Sequence, residues 1–391
     1  IRNGALNISC VVSDEEVLDL SSVRIKDGLI QLPVGEKRGY AFKGWYDADN
    51  VQVSDKSGNV DEEYAKSHNL TAITLHCEWE QVYVREGNYI YFGSYPQAKV
   101  TDASLVSSLN TLAGALPTSE NAQKWTSYKY YIEGEIKDYM WYQDIEYAES
   151  KYRGVYFTSY RPYYCHEVSD EEHSSQDDNG YKINTVYWFK YEKIKWRILN
   201  DEGNIALLLS DIALDNQHYY HNNDEIRTIN GKIIYANNYE ESDVRKWLQN
   251  DFYNMFTRDE KGIVKKTGLD NSSKTANPYG KSQHLNNGVN GYTCNKTSDK
   301  FFLLSLEDAT NKTYGFTDLI DTNKESKISD YASAQGTECV STMNGCVWYL
   351  RSPSYQKSYF VSYINGNGYY CIDSHVDDVN NGIRPAVRID L

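Results

Sequence analysis

No apolar run in this chain approaches the roughly 18 residues that a membrane-crossing helix requires, so membrane insertion is not expected. Positive charge is short as well: 40 Lys and Arg stand against 55 Asp and Glu, a net charge of −15. Nucleic-acid phosphates and anionic lipid surfaces both call for clustered cations, and neither is an expected partner. Cysteines are few and scattered, at Cys10, Cys77, Cys165, Cys294, Cys339, Cys346 and Cys371. They form no C-x-x-C and no Cys/His spacing of the zinc kind, and their odd number argues against a disulfide framework. Gly-x-Ser-x-Gly, a Walker loop, a dinucleotide-binding glycine pattern and His-Glu-x-x-His are all missing. The opening Ile1-Arg2-Asn3-Gly4 has no initiator Met and reads as a trimmed or processed chain.

Tyrosine is what the chain has in excess: 36 against 10 Phe and 3 Met. A phenol joins an apolar body to a polar tip, which suits half-buried strands and ligand-facing surfaces alike. At 391 residues, with 40% apolar and 24% charged residues, the expectation is a folded chain of two domains, 1–80 and 81–391.

In the first segment, residues 5–12 and 71–80 alternate in hydrophobicity and are expected to be half-buried strands. Cys10 and Cys77 then face one core, as a disulfide or as two buried thiols. Residues 39–47 read as a strand running into a turn, and 61–67 as a short helix.

In the second segment, residues 89–97 read as a strand ended by Ser94-Tyr95-Pro96. Thr101 or Asp102 caps a helix burying Leu105, Leu109 and Leu112. Residues 118–182 read as irregular, with a solvated acidic loop at 169–180. A hairpin follows: Ile194, Trp196 and Ile198 point inward, Asn200-Asp201-Glu202-Gly203 turns, and 205–210 returns. Ser242 caps a helix with Val244, Trp247, Leu248, Phe252, Met255 and Phe256 on one face, and Thr257 with Glu260 forms a capping box. Residues 301–305 and 348–351 read as short buried strands. Residues 358–364 and 369–373 flank Asn365-Gly366-Asn367-Gly368 as a second hairpin. The last strand buries Ile383, Val387, Ile389 and Leu391 with Arg384 and Arg388 opposite, and Pro385 suggests an edge or bulge. The order of strands, helices and strands gives an α+β fold, with its outer strands closing in one sheet.

Two sets of motifs carry resemblances. Pro33, Gly39-Tyr40, Phe42, Gly44-Trp45-Tyr46-Asp47, Thr74-Leu75 and Trp79 resemble the Listeria–Bacteroides surface repeat of the internalin B-repeat type, over about residues 28–80. That resemblance implies a small β-grasp-like module and an extracellular or cell wall-associated address. His76-Cys77 stands where the repeat prefers Tyr-Ala, and the single copy does not make an array. From Tyr91-Phe92-Gly93-Ser94-Tyr95-Pro96-Gln97 through Trp196-Arg197-Ile198-Leu199, Arg245-x-Trp247-Leu248, Trp348-Tyr349-Leu350-Arg351-Ser352-Pro353 and Gly382-Ile383-Arg384-Pro385, the rest resembles DUF6273. This is a domain of unknown function common in secreted proteins of Gram-positive gut bacteria, and it implies no activity. The ending also resembles C-type-lectin-like and formylglycine-generating-enzyme folds, without the calcium tripeptides of the former. Cys339, Cys346 and Cys371 lack the context of the latter's late cysteine pair.

Candidate sites follow from side-chain chemistry. Cys165-His166 are neighbours, and neighbours on a strand face apart, so a nucleophilic dyad is not the better reading. Cys339 and Cys346 bracket a small loop that suits a disulfide or free thiols. Asp377, Asp378 and Asn380, like Asp177-Asp178-Asn179-Gly180, offer oxygen ligands to calcium without the twelve-residue loop spacing; a polar turn is the better reading, and no other cofactor is expected. Arg351 and Arg384 read either as ion pairs with Asp373 or Asp390, or as anchors for an anionic ligand group. Tyr349, Tyr359, Tyr363 and Tyr369, within an aromatic cluster that includes Tyr355, Phe360 and Tyr370, lie near Asn365, Asn367 and Asp373. They form the candidate surface for a sugar, against cross-strand pairing as the alternative. The expectation is therefore a non-catalytic adhesin binding a glycan or a host surface protein. An extracellular hydrolase of unknown substrate and a structural spacer are the alternatives, and the oligomeric state is left open.

Overall fold

The computed structural model describes residues 9–11, 24–26, 29–68, 74–167, 174–276, 291–317, 321–338 and 345–391. Strand outweighs helix, 39% against 17%, and the fold is mixed α/β of the α+β kind. The chain divides into two compact units, Ile1–Val84 with Thr257–Ile263, and Arg85–Phe256 with Val264–Leu391.

In the smaller unit, Thr74–Gln81 pairs in parallel with Ser9–Val11 and antiparallel with Tyr40–Tyr46. The Gly-Trp-Tyr-Asp run explains itself here. Gly44 has φ +142°, and a Cβ on it would stand 2.1 Å from the Ser54 carbonyl oxygen, so no other residue fits this bulge. Trp45 is fully buried and its indole donates to the Pro33 carbonyl at 2.8 Å. Asp47 accepts from the Asp49 and Val51 amides at 2.9 Å and from the Tyr64 hydroxyl at 2.6 Å. Those bonds fix the turn after the strand and dock the helix Glu62–Ser67, which Asp61 caps. The Cys10 side chain and Cys339 lie outside the described residues, and with them both suggested cysteine pairings.

The larger unit is built on a ten-stranded sheet around the fifteen-residue strand Tyr187–Asp201. Tyr89–Lys99 runs along one of its edges, while Ser150–Phe157 and Ile205–Ser210 share the other. Ala386–Asp390 lies beyond Ile205–Ser210, so the closing strand shares a sheet with the early one without pairing with it. Trp196, fully buried, stacks on Phe92 and Phe301 and donates its indole N–H to the Phe92 carbonyl at 3.0 Å. A second, five-stranded sheet runs in the order Asp215–Asn216, Gly382–Ile383, Trp348–Pro353, Phe360–Ile364, Tyr370–His375. The hairpins at 194–210 and 358–373 form as expected. Ser242 caps Asp243–Trp247, which continues as a π-helical turn over Leu248–Phe252; the Thr257/Glu260 capping box, which belongs to the smaller unit, is made in both directions.

Four expectations change. Residues 118–182 are not irregular throughout: Met140–Tyr147 and Ser150–Phe157 pair over eight residues, joined by Ala148 and Glu149 at φ +47° and +61°. Ser94-Tyr95-Pro96 does not end its strand, because a register shift opposite Tyr191 accommodates the proline and pairing continues to Lys99. In the helix Ala103–Ala113, capped by Asp102, Leu112 is exposed and Ala113 is buried instead. Pro385 marks neither an edge nor a bulge but the crossing of the final segment from one sheet to the other.

Candidate functional site

The nine candidate binding residues divide into an interior set and an outer set. Tyr349 is fully buried and donates its hydroxyl to the His375 and Asp378 carbonyls at 3.0 and 2.8 Å. Arg351 is buried and pairs with Asp308 at 2.8 Å, while also donating to the Leu303 carbonyl and to Asn271. It borders a cavity of about 180 Å³ that Asp270 and Arg388 also line. Arg384 is buried, lies 4.8 Å over the Trp348 ring and donates to the Ser210 and Asp211 carbonyls. Burial, and then the charge of Arg197, push its guanidinium down to about 9. Neither arginine meets the carboxylates expected for it. Asp390 pairs with Lys265 instead, and Asp373 is exposed.

The outer set lies on the hairpin 360–375. Phe360 is opposite His375 and Tyr363 opposite Cys371, on the face away from buried Val361, Ser374 and Ile364. Tyr359 and Phe360 pack against His375 with ring centroids 5.4 and 5.0 Å apart. Burial, with bonds to Cys371 and Asp373, pushes the Tyr363 phenol up. Tyr369 and Tyr370 stack in parallel at the tip, and Tyr369 and Asn367 are exposed. Asn365 builds the turn: its side-chain oxygen accepts the Asn367 and Tyr369 amides at 3.0 and 3.1 Å.

The calcium candidates face separate partners. Asp377 is fully buried and bonds His166 Nδ1 at 2.5 Å. Asp378 accepts the Asn380 amide at 2.7 Å, and Asn380 itself accepts from Ser175 at 3.1 Å. Burial and the neighbouring Asp377 and Glu338 charges push the Asp378 carboxyl up to about 7. Asp377 Oδ1 and His375 Nδ1, 3.9 Å apart, are both buried without a hydrogen-bond partner among the described residues. Asp177 and Asp178 accept the hydroxyls of Tyr160 and Tyr163. Cys165 does not work with His166: its thiol is buried and pushed up, first by burial and then by Asp377, while His166 turns to Asp377.

A further cluster escaped the sequence reading. His218 and His221 flank Tyr219-Tyr220 in the loop after Asp215–Asn216, and Asp243 opens the helix that Ser242 caps. Tyr219 is fully buried; its carbonyl accepts the Asp243 and Val244 amides at 3.0 and 3.2 Å, which seats the loop on the helix end. One oxygen of Asp243, Oδ2, then takes His221 Nδ1 at 2.6 Å, the His221 amide at 3.1 Å and His218 Nε2 at 3.2 Å. Burial works to raise this carboxyl, yet the two histidines hold it well below the usual carboxylate range. Tyr131 stacks on His221 at 3.9 Å and meets His218 edge-on. The three ligand atoms lie within 4.8 Å of one another. The available signal was His-Tyr-Tyr-His followed by an aspartate directly after a helix cap. His166, His218 and His221 thus bond two aspartates, with His375 3.9 Å from one of them, and these four are half of the chain's eight histidines.

Residues 202–391 match the family model described as Domain of unknown function (DUF6273). The match takes in His218, His221, Asp243 and the hairpin, and leaves Tyr131, Cys165 and His166 outside. No curated protein matches the chain, and no solved structure does.

Proposed function

We propose that the protein is an extracellular or cell wall-associated bacterial adhesin that binds a glycan or a host surface protein without catalysis. The observation that carries this reading is the outer face of the hairpin 360–375, where Tyr359, Phe360, Tyr363 and His375 are half-open beside exposed Asp373. A flat ring takes the apolar face of a sugar, a nearby carboxylate takes its hydroxyls, and a rigid phenol loses little entropy on contact. Among the described residues Tyr370–His375 is the last strand of its sheet, and it carries Asp373 exposed to solvent.

The reading is supported from the other end of the chain by the Gly-Trp-Tyr-Asp pattern and its turn. It treats the smaller unit as a β-grasp-like surface-repeat module and the larger as a C-type-lectin-like head. A hydrolase of the thiol kind would need an oriented, ionisable cysteine, and the buried Cys165 thiol, pushed up by its surroundings, is poorly suited to that task. A pure spacer would have no use for open aromatic rings.

The test is a glycan microarray, with immobilised host mucin beside it, probed with the intact protein and a Tyr363→Ala/Tyr369→Ala variant. Binding that the variant loses supports the reading. No binding, or equal binding by both proteins, overturns it.

A further inference from the structure

We propose that His218, His221 and Asp243 form a site for a divalent transition-metal ion of the zinc class. Two imidazoles and one carboxylate are the three-ligand set that such ions accept, with a fourth position left open; calcium would require oxygen donors throughout.

The spacing agrees with the chemistry. Metal–ligand bonds of roughly 2.0–2.2 Å in tetrahedral geometry separate neighbouring donors by about 3.3 Å. The His218 Nε2–Asp243 Oδ2 distance is 3.2 Å, the His221 Nδ1–Asp243 Oδ2 distance is 2.6 Å, and all three donors lie within 4.8 Å of each other. Binding would open the 2.6 Å contact between His221 and Asp243 toward that tetrahedral spacing.

The donors are also held in advance. Tyr219 ties the histidine loop to the helix start, the His221 amide holds Asp243, and Tyr131 covers the His221 ring. His218 supplies the second, independent observation. It is 8% exposed, its Nδ1 has no hydrogen-bond partner among the described residues, and its Nε2 is aimed at the shared oxygen. A buried imidazole whose one polar contact is a carboxylate already engaged by two other donors gains a stronger partner when an ion takes their place. On binding, each ring presents a lone pair to the metal at the nitrogen that now faces Asp243. Its remaining proton then sits on the other ring nitrogen.

The experiment uses the intact protein, stripped with a chelator and titrated calorimetrically with Zn²⁺, then with Co²⁺ followed by visible absorption. The expected result is one bound equivalent, a higher melting temperature with the ion present, and cobalt bands typical of nitrogen and oxygen ligands. His221→Ala and Asp243→Asn should each weaken binding about tenfold or more. His375→Ala, in the neighbouring Asp377 cluster, should leave it unchanged. His218→Gln, which keeps the size of the ring closely enough to preserve packing, guards against a folding defect and should also weaken the ion. No binding by the folded protein, or binding that His221→Ala and His218→Gln leave intact, overturns the proposal. So does binding that His375→Ala abolishes.

Discussion

Tyrosine serves two ends in this molecule, and the contrast shows what its abundance is for. Inside the larger unit, Tyr95, Tyr128, Tyr191 and Tyr331 surround Arg153, Asp144 and Asp215. Arg153 grips Asp144 with two bonds of 2.8 and 2.9 Å, Tyr191 adds a third at 2.9 Å, Tyr128 and Tyr331 share a bond of 2.8 Å, and Tyr95 donates to Asp215. Each of these four hydroxyls has a partner, as burial demands. On the hairpin 360–375, by contrast, rings of the same residue type lie half-open, and Tyr369 is 38% exposed. A phenol with its tip satisfied and its body covered is structural; a phenol with a free face is available to a ligand. The residue count alone does not separate the two.

The sharpest break of that contrast would come from Arg153→Ala. Arg153 is 6% exposed, and removing it empties its place among the Tyr142, Tyr191 and Tyr331 rings and leaves Asp144 only Lys151, 3.4 Å away, as a counter-charge. The expected cost is about 3–5 kcal/mol, read by urea denaturation; a loss under about 1 kcal/mol would mean the interior network is not structural. Asp215 gives the next effect. Burial, against the Tyr95 hydrogen bond, pushes its carboxyl up to about 6, above the unfolded value of about 4. A raised acid contributes stability in full below the unfolded value and loses it as pH rises through the folded one. Relative to Asp215→Asn, the native protein should therefore lose on the order of 2–3 kcal/mol between about pH 4 and pH 6. A difference that is flat across that window removes the assignment. Tyr331→Phe should cost about 1–2 kcal/mol, since it leaves the Tyr128 hydroxyl without its partner. The smallest change belongs to the hairpin: Tyr369→Ala should shift stability by no more than about 0.5 kcal/mol. If it unfolds the protein instead, the outer ring is structural and the contrast fails.

Much of the fold was legible because it is locally written. The alternation of Ile194, Trp196 and Ile198, the Ser242 and Asp102 caps, the Thr257/Glu260 box and the Asn-Gly turn at 365–368 each act over a few residues, and each forms. The hairpin at 140–157 was missed because its turn uses Ala148 and Glu149 at positive φ, where glycine or asparagine is the ordinary signal. The partners of Arg351 and Arg384 were misassigned because side chains distant in sequence meet only through sheet topology. Asp308 lies 43 residues from Arg351, and the backbone carbonyls that hold Arg384 leave no mark in the sequence. The histidine cluster fell between these cases. Its spacing was visible, but Asp243 is 22 residues from His221, and only the seating of Tyr219 on the helix start brings them together.

The strand Tyr187–Asp201 bears on how the matched region would behave alone. The family match begins at residue 202, inside the turn that follows this strand. A fragment starting there would carry Ile205–Ser210 stripped of its neighbour. That sequence, Ile-Ala-Leu-Leu-Leu-Ser, would then present a bare, oily margin to any other copy. Recombinant production of residues 202–391 alone should give inclusion bodies, whereas keeping the upstream strands should restore a dispersed product.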